Sequence, residues 1–107
     1  VERSGYEARV ERDHDECRVV LSGEIDLVAV PDVFARIQEA DREGADRLVV
    51  LMTDVTLIDS SGIGVLARLA AAQVQMEIRG ATGVVRRAID ISGVALSPNI
   101  RMDDDSS

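Results

Sequence analysis

Five consecutive apolar residues, Leu48-Val49-Val50-Leu51-Met52, leave little choice of architecture. A strand with one face in water alternates apolar and polar side chains, so an unbroken run reads as a strand covered on both faces, at the centre of a largely parallel sheet. Parallel neighbours need crossover connections, usually helices. The flanking sequence supplies one directly. Leu57-Ile58 resumes the strand pattern, and beyond Asp59-Ser60-Ser61-Gly62 the spacing of Ile63, Leu66, Leu69 and Ala70 turns helical. A strand therefore ends and a helix begins between Ile58 and Gly64. Such a junction presents unpaired backbone N–H groups and the positive end of a helix dipole, which together favour a phosphate. Ser60 or Ser61 is thus a candidate switch.

The remaining elements follow from the same periodicities. Tyr6, Ala8 and Val10 alternate with charged residues, as do Cys17, Val19 and Leu21 with Arg18 and Val20, and the charged stretch Arg12 to Glu16 is expected to separate them as a hairpin. Val30, Val33, Phe34, Ile37 and Ala40 mark a first helix, with Pro31 in its first turn and Gly44 past its end. The spacing predicts a strand over Arg47 to Met52 and a second helix from about Gly62 to Ala72. Then come a strand from about Val74 to Arg79, a third helix from about Gly83 to Ile91, and an edge strand over Asn99 to Met102. The reading is one α/β domain over residues 1–102, a mixed sheet with helices packed on it in the order β-β-α-β-α-β-α-β, and an acidic disordered tail over residues 103–107. One connection is anomalous. Ala70-Ala71-Ala72-Gln73 runs into Val74 without the Gly or Asn that normally turns a helix into a strand, implying a shortened helix or missing residues.

Charge and composition exclude several functions. A net charge of −8 repels nucleic acid and anionic membrane alike, so neither is an expected partner. The longest apolar run, Val65 to Ala72, is short and carries Arg68, no signal-peptide pattern is present, and the expected compartment is the cytoplasm. The lone Cys17 reads as a buried reduced thiol and the lone His14 as a solvated turn residue, so no metal centre and no cofactor is expected. A serine hydrolase lacks both its base and the glycine before the nucleophile. Gly62, Gly64 and Ala67 match a weak dinucleotide fingerprint, but Asp59 opposes a pyrophosphate and small-residue packing of helix on sheet accounts for the glycines. Glu39, Asp41 and Glu43, like Arg79, Arg86 and Arg87, read as solvated charge.

At the junction itself the plain reading is a helix N-cap, which needs one side-chain oxygen. Asp59, Ser60 and Ser61 offer three side chains, so at least one hydroxyl is spare. Asp26, at the end of Gly23-Glu24-Ile25-Asp26, reads as a turn or capping carboxylate, and a parallel arrangement would bring it beside Ser60.

Gly23-Glu24-Ile25-Asp26, Leu57-Ile58-Asp59-Ser60-Ser61-Gly62-Ile63-Gly64-Val65-Leu66 and Ile89-Asp90-Ile91-Ser92-Gly93-Val94, in this order, resemble the STAS domain of bacterial anti-sigma-factor antagonists across nearly the whole chain. The resemblance implies a domain that is not an enzyme. Unphosphorylated, it binds an anti-sigma factor, often a serine kinase using ATP and magnesium, and so frees a sigma factor for transcription. It implies Ser60 as the phosphorylated serine, a phosphatase that reverses the change, and a partner-binding surface at Asp26, Asp59, Ser60, Ser61, Gly62, Ile63 and the second helix. The rival reading is a STAS-like scaffold or nucleotide-sensing module that needs no phosphorylation. The chain departs from the family pattern in its second helix and loop, about one turn shorter, in the missing glycine turn before the fourth strand, and in the lack of a C-terminal helix after Met102.

Overall fold

A computed structural model describes residues 5–103 of the chain. Strands β1 (Tyr6–Asp13) and β2 (Glu16–Ile25) are followed by α1 (Val30–Arg42), β3 (Arg47–Ile58), α2 (Ser60–Ala71), β4 (Met76–Arg79), α3 (Gly83–Ser92) and β5 (Ile100–Met102). A 3₁₀ turn at Val94–Leu96 precedes β5. The order is the expected β-β-α-β-α-β-α-β, with β3 central in a single sheet. The five strands lie side by side in chain order, β1 antiparallel to β2 and the others parallel. Crossovers of one hand between successive neighbours carry all the helices to one face. There Val33 and Ile37 of α1, Leu66 and Leu69 of α2, and Val85 and Ile89 of α3 share one buried cluster with Val19, Leu21, Val50, Met52 and Ile78 of the sheet. Cys17 joins this cluster as a free thiol, and burial pushes its pKa up. Arg68 of α2 lies 4.1 Å from the ring centre of Phe34 on α1, tying the two helices together.

The opposite face accounts for the unbroken apolar run. Val20 and Val49 point away from the helices and are still buried, because charged side chains lie over them where a parallel sheet usually carries a second layer of helices. Glu16 is the hub of that cover, with its side chain only 9% exposed. It accepts from Arg18 at 2.7 Å and from Arg47 at 2.9 Å, and Arg79, itself paired with Glu77 at 3.1 Å, reaches it at 3.5 Å. This corrects the expectation that all of Arg12 to Glu16 separates the two strands and that Arg79 is merely solvated. The hairpin turn is only His14-Asp15, with exposed His14 at φ 56°, and Glu16 already belongs to β2. The hydrogen bond from Arg18, followed by that from Arg47, holds the Glu16 carboxyl below the usual carboxylate range. A folded-state pKa below the unfolded one contributes stability that is complete above the unfolded value and is lost as pH falls through the folded one. Glu16→Gln is therefore expected to melt several degrees lower at neutral pH. The gap to the parent should close on acidification from about pH 5 towards pH 3, as read by thermal melts across that range.

β3 runs unbroken through Thr53-Asp54-Val55-Thr56, where its sequence pattern lapses. The cause is two register shifts against β2, between Val20 and Ser22 and between Gly23 and Glu24. Each adds a residue on the β3 side, which lets twelve residues lie along ten. The connection from α2 to β4 also closes without glycine. Gln73 adopts φ 66°, and the N–H groups of Gln73 and Val74 donate to Ala70 O and Leu69 O at 3.0 and 3.1 Å, the hydrogen bonds of a Schellman cap. A polar side chain takes the left-handed position that glycine usually fills. Of the expected acidic tail, only Asp103 lies among the described residues. Its N–H donates to Ile78 O and its carboxylate accepts from Gly80 N–H.

Candidate functional site at the β3–α2 junction

Parallel pairing of β2 with β3 ends on Ile25 opposite Ile58, so Asp26 and Asp59 each follow at the same edge of the sheet. Asp59 sits in extended backbone and caps α2, its Oδ1 accepting from Ser61 N–H at 2.9 Å and from Gly62 N–H at 3.1 Å. The helix begins at Ser60, two residues earlier than its apolar spacing predicts, because the cap is an aspartate and the serines lie inside the first turn. Asp59 N–H points to Ile25 O at 3.4 Å. Of the donors a helix start leaves unpaired, only the N–H of Ser60 has no partner among the described residues. The expected anion cradle is thus largely occupied by Asp59 itself.

The two serines differ in ways that sequence alone could not separate. Neither hydroxyl is hydrogen-bonded among the described residues, but Ser60 is exposed and Ser61 half-buried. At Gly62 the packing of helix on sheet leaves no room for a side chain. A Cβ there would stand 2.6 Å from Ile25 O and 2.6 Å from Ile58 Cγ1, so the start of α2 rests directly on the ends of β2 and β3. Gly64 has no such neighbour, and packing on the sheet does not account for it. Gly64→Ala is accordingly expected to stabilise the free domain by about 0.5–1 kcal/mol through helix propensity, measured by urea denaturation.

Asp26 is spent on the entry to α1. Its Oδ1 accepts from Val28 N–H at 3.1 Å and from Ala29 N–H at 3.4 Å, which is the turn-forming role its position suggests. The edge also carries apolar residues that periodicity did not single out. Leu27 and Val28 are 72% and 66% exposed in the β2–α1 connection, and Leu57 is 45% exposed at the end of β3. The signal available was a pair of apolar residues, Leu27-Val28, falling outside both strand and helix patterns. Ile63, on the first turn of α2, is half-buried against the core.

The model of the STAS domain matches residues 7–106. The chain belongs to the STAS domain family. The STAS domain matched here is non-enzymatic. An anti-sigma-factor antagonist from Mycobacterium paratuberculosis has a similar structure, with 22% identity, TM-score 0.78, and 94% of this chain and 89% of that one covered. The Bacillus cell fate determinant SpoIIAA in its phosphorylated form shares 21% identity at TM-score 0.63, with 94% of both chains covered. The murine anion transporter Slc26a9 is similar over 87% of this chain but only 17% of its own, at 17% identity and TM-score 0.65. No curated protein sequence matches. Among the described residues of this STAS domain, no helix is long and apolar enough to cross a membrane, and no cluster of acidic, His and Cys side chains could hold a metal ion.

Proposed function

We propose that this STAS domain is an anti-sigma-factor antagonist of the bacterial cytoplasm. Unphosphorylated, it binds an anti-sigma factor that is a serine kinase and thereby frees a sigma factor; phosphorylation of Ser60 ends the binding, and a phosphatase restores it. The observation that carries this reading is an exposed Ser60, its hydroxyl without a hydrogen-bond partner among the described residues, at a helix start that Asp59 already caps, so modification of Ser60 breaks no hydrogen bond among them. In the reaction the Ser60 Oγ attacks the γ-phosphorus of ATP, ADP departs, and the hydroxyl proton passes to a base on the kinase. Asp26 and Asp59 flank the site as polar neighbours, and half-buried Ser61 and Ile63 extend the contact along α2, whereas Gly62, buried against the ends of β2 and β3, serves it only by seating the helix.

The apolar residues at the same edge give such a partner something to bury. Leu27 and Val28 are too exposed to serve the core, so Leu27→Ser with Val28→Ser should leave the melting temperature unchanged. The same double substitution is expected to weaken binding to a serine-kinase anti-sigma factor at least tenfold in a calorimetric titration, roughly the effect of losing two buried aliphatic contacts. Binding equal to that of the parent would remove this edge from the interface.

A further inference from the structure

We propose that β1 pairs antiparallel with β1 of a second copy of this chain, joining two five-stranded sheets into one. This proposal is independent of the switch at Ser60. β1 is an eight-residue edge strand, and among the described residues nothing pairs with its outer side. The hydrogen-bond phase is set at both ends: Glu24 N–H donates to Gly5 O at 2.8 Å, and the two-residue turn brings Asp13 opposite Glu16. Odd-numbered residues therefore bond to β2, and the N–H and C=O groups of Tyr6, Ala8, Val10 and Arg12 point outward.

The side chains suit a copy of the same strand. Tyr6, Ala8 and Val10 lie on the helix-covered face and are each only partly buried, so the apolar layer is left open along this edge. Glu7, Arg9 and Glu11 lie on the other face with alternating sign. β1 has no proline and its register with β2 is unbroken, so its backbone is regular enough to pair, and its charges alternate in sign and so can match those of a copy. A two-fold axis through Ala8 sets Glu7 opposite Arg9 twice and Tyr6 opposite Val10 twice. It also closes the apolar layer with the partner's equivalents. An axis through Arg9 instead opposes Arg9 to itself and Glu7 to Glu11, and an axis through Val10 sets two Glu7–Asp13 oppositions against its two Arg9–Glu11 pairs. Charge complementarity thus selects both the occupant and the Ala8-centred register. Because β2 separates β1 from β3, this pairing leaves the Ser60 edge uncovered.

Sedimentation equilibrium of the full chain from about 1 µM to 1 mM, a range that spans typical weak self-association, tests the proposal. The expected result is a reversible monomer–dimer equilibrium. Ala8→Pro removes an outward donor and spares the β1–β2 ladder, so it should weaken the dimer at least tenfold with unchanged circular dichroism. Glu7→Arg should weaken it roughly tenfold, and adding Arg9→Glu should recover most of the loss. A chain monomeric throughout, or a dimer indifferent to both Ala8→Pro and Glu7→Arg, overturns the proposal. A double exchange that recovers nothing overturns the Ala8-centred register.

Discussion

A phosphate on Ser60 is expected to weaken the complex with the anti-sigma factor by about 3–4 kcal/mol, roughly 10²–10³-fold, while leaving the fold nearly untouched. The two effects part company because of where the charge sits. Ser60 is exposed, its hydroxyl has no partner to lose among the described residues, and the added charge lies at the positive end of the α2 dipole, which offsets its repulsion by the Asp59 carboxylate. The unfolding free energy should therefore shift by less than about 1 kcal/mol. In a complex the same phosphate must shed water beside two acidic residues that are already committed, Asp26 to the turn that leads into α1 and Asp59 to the cap of α2, and that cannot turn away without releasing those hydrogen bonds. Comparing phosphorylated and unmodified protein by urea denaturation and by calorimetric titration measures both quantities. A large loss of stability with unchanged affinity would place the switch in the fold rather than in the interface.

Gly62→Ala is expected to cost about 2–4 kcal/mol, a melting temperature lower by roughly 10–20 °C, although it adds a good helix former to a helix. The added methyl would meet Ile25 O and Ile58 Cγ1, each 2.6 Å away. The carbonyl belongs to a paired strand and cannot retreat, so α2 must lift from the sheet and carry Ser60 with it. Gly64→Ala, two residues on and facing open space, is the internal control. Opposite signs for the two substitutions in the same denaturation series would show that contact with the strand ends, and not helix propensity, fixes where α2 begins.

Local and periodic features of the fold were legible in the sequence. Leu48 to Met52 announces a central strand because both of its faces are covered, by helices on one side and by the Glu16 ion pairs on the other. That second cover was not legible, since Glu16 draws its cations from β2, β3 and β4, which lie far apart along the chain. The lapse at Thr53 to Thr56 hid a continuous strand because a bulge breaks the two-residue alternation. Gln73 hid a helix cap because a left-handed glutamine leaves no compositional trace. At the site, the spare hydroxyls beside Asp59 were readable from residue count alone. Which serine stands in solvent depends on the pitch of α2 against the sheet, which no local pattern encodes. Leu27 and Val28 escaped notice because exposure in a connection is a property of the assembled edge.

The most direct measurement is to incubate this protein, and its Ser60→Ala and Ser61→Ala variants, with a serine-kinase anti-sigma factor and Mg-ATP, reading intact mass and complex formation together. The account predicts one added phosphate on the parent and on Ser61→Ala, none on Ser60→Ala, and loss of the complex only where phosphate is gained. Phosphate on Ser60→Ala, or a phosphorylated parent that stays bound, would contradict it.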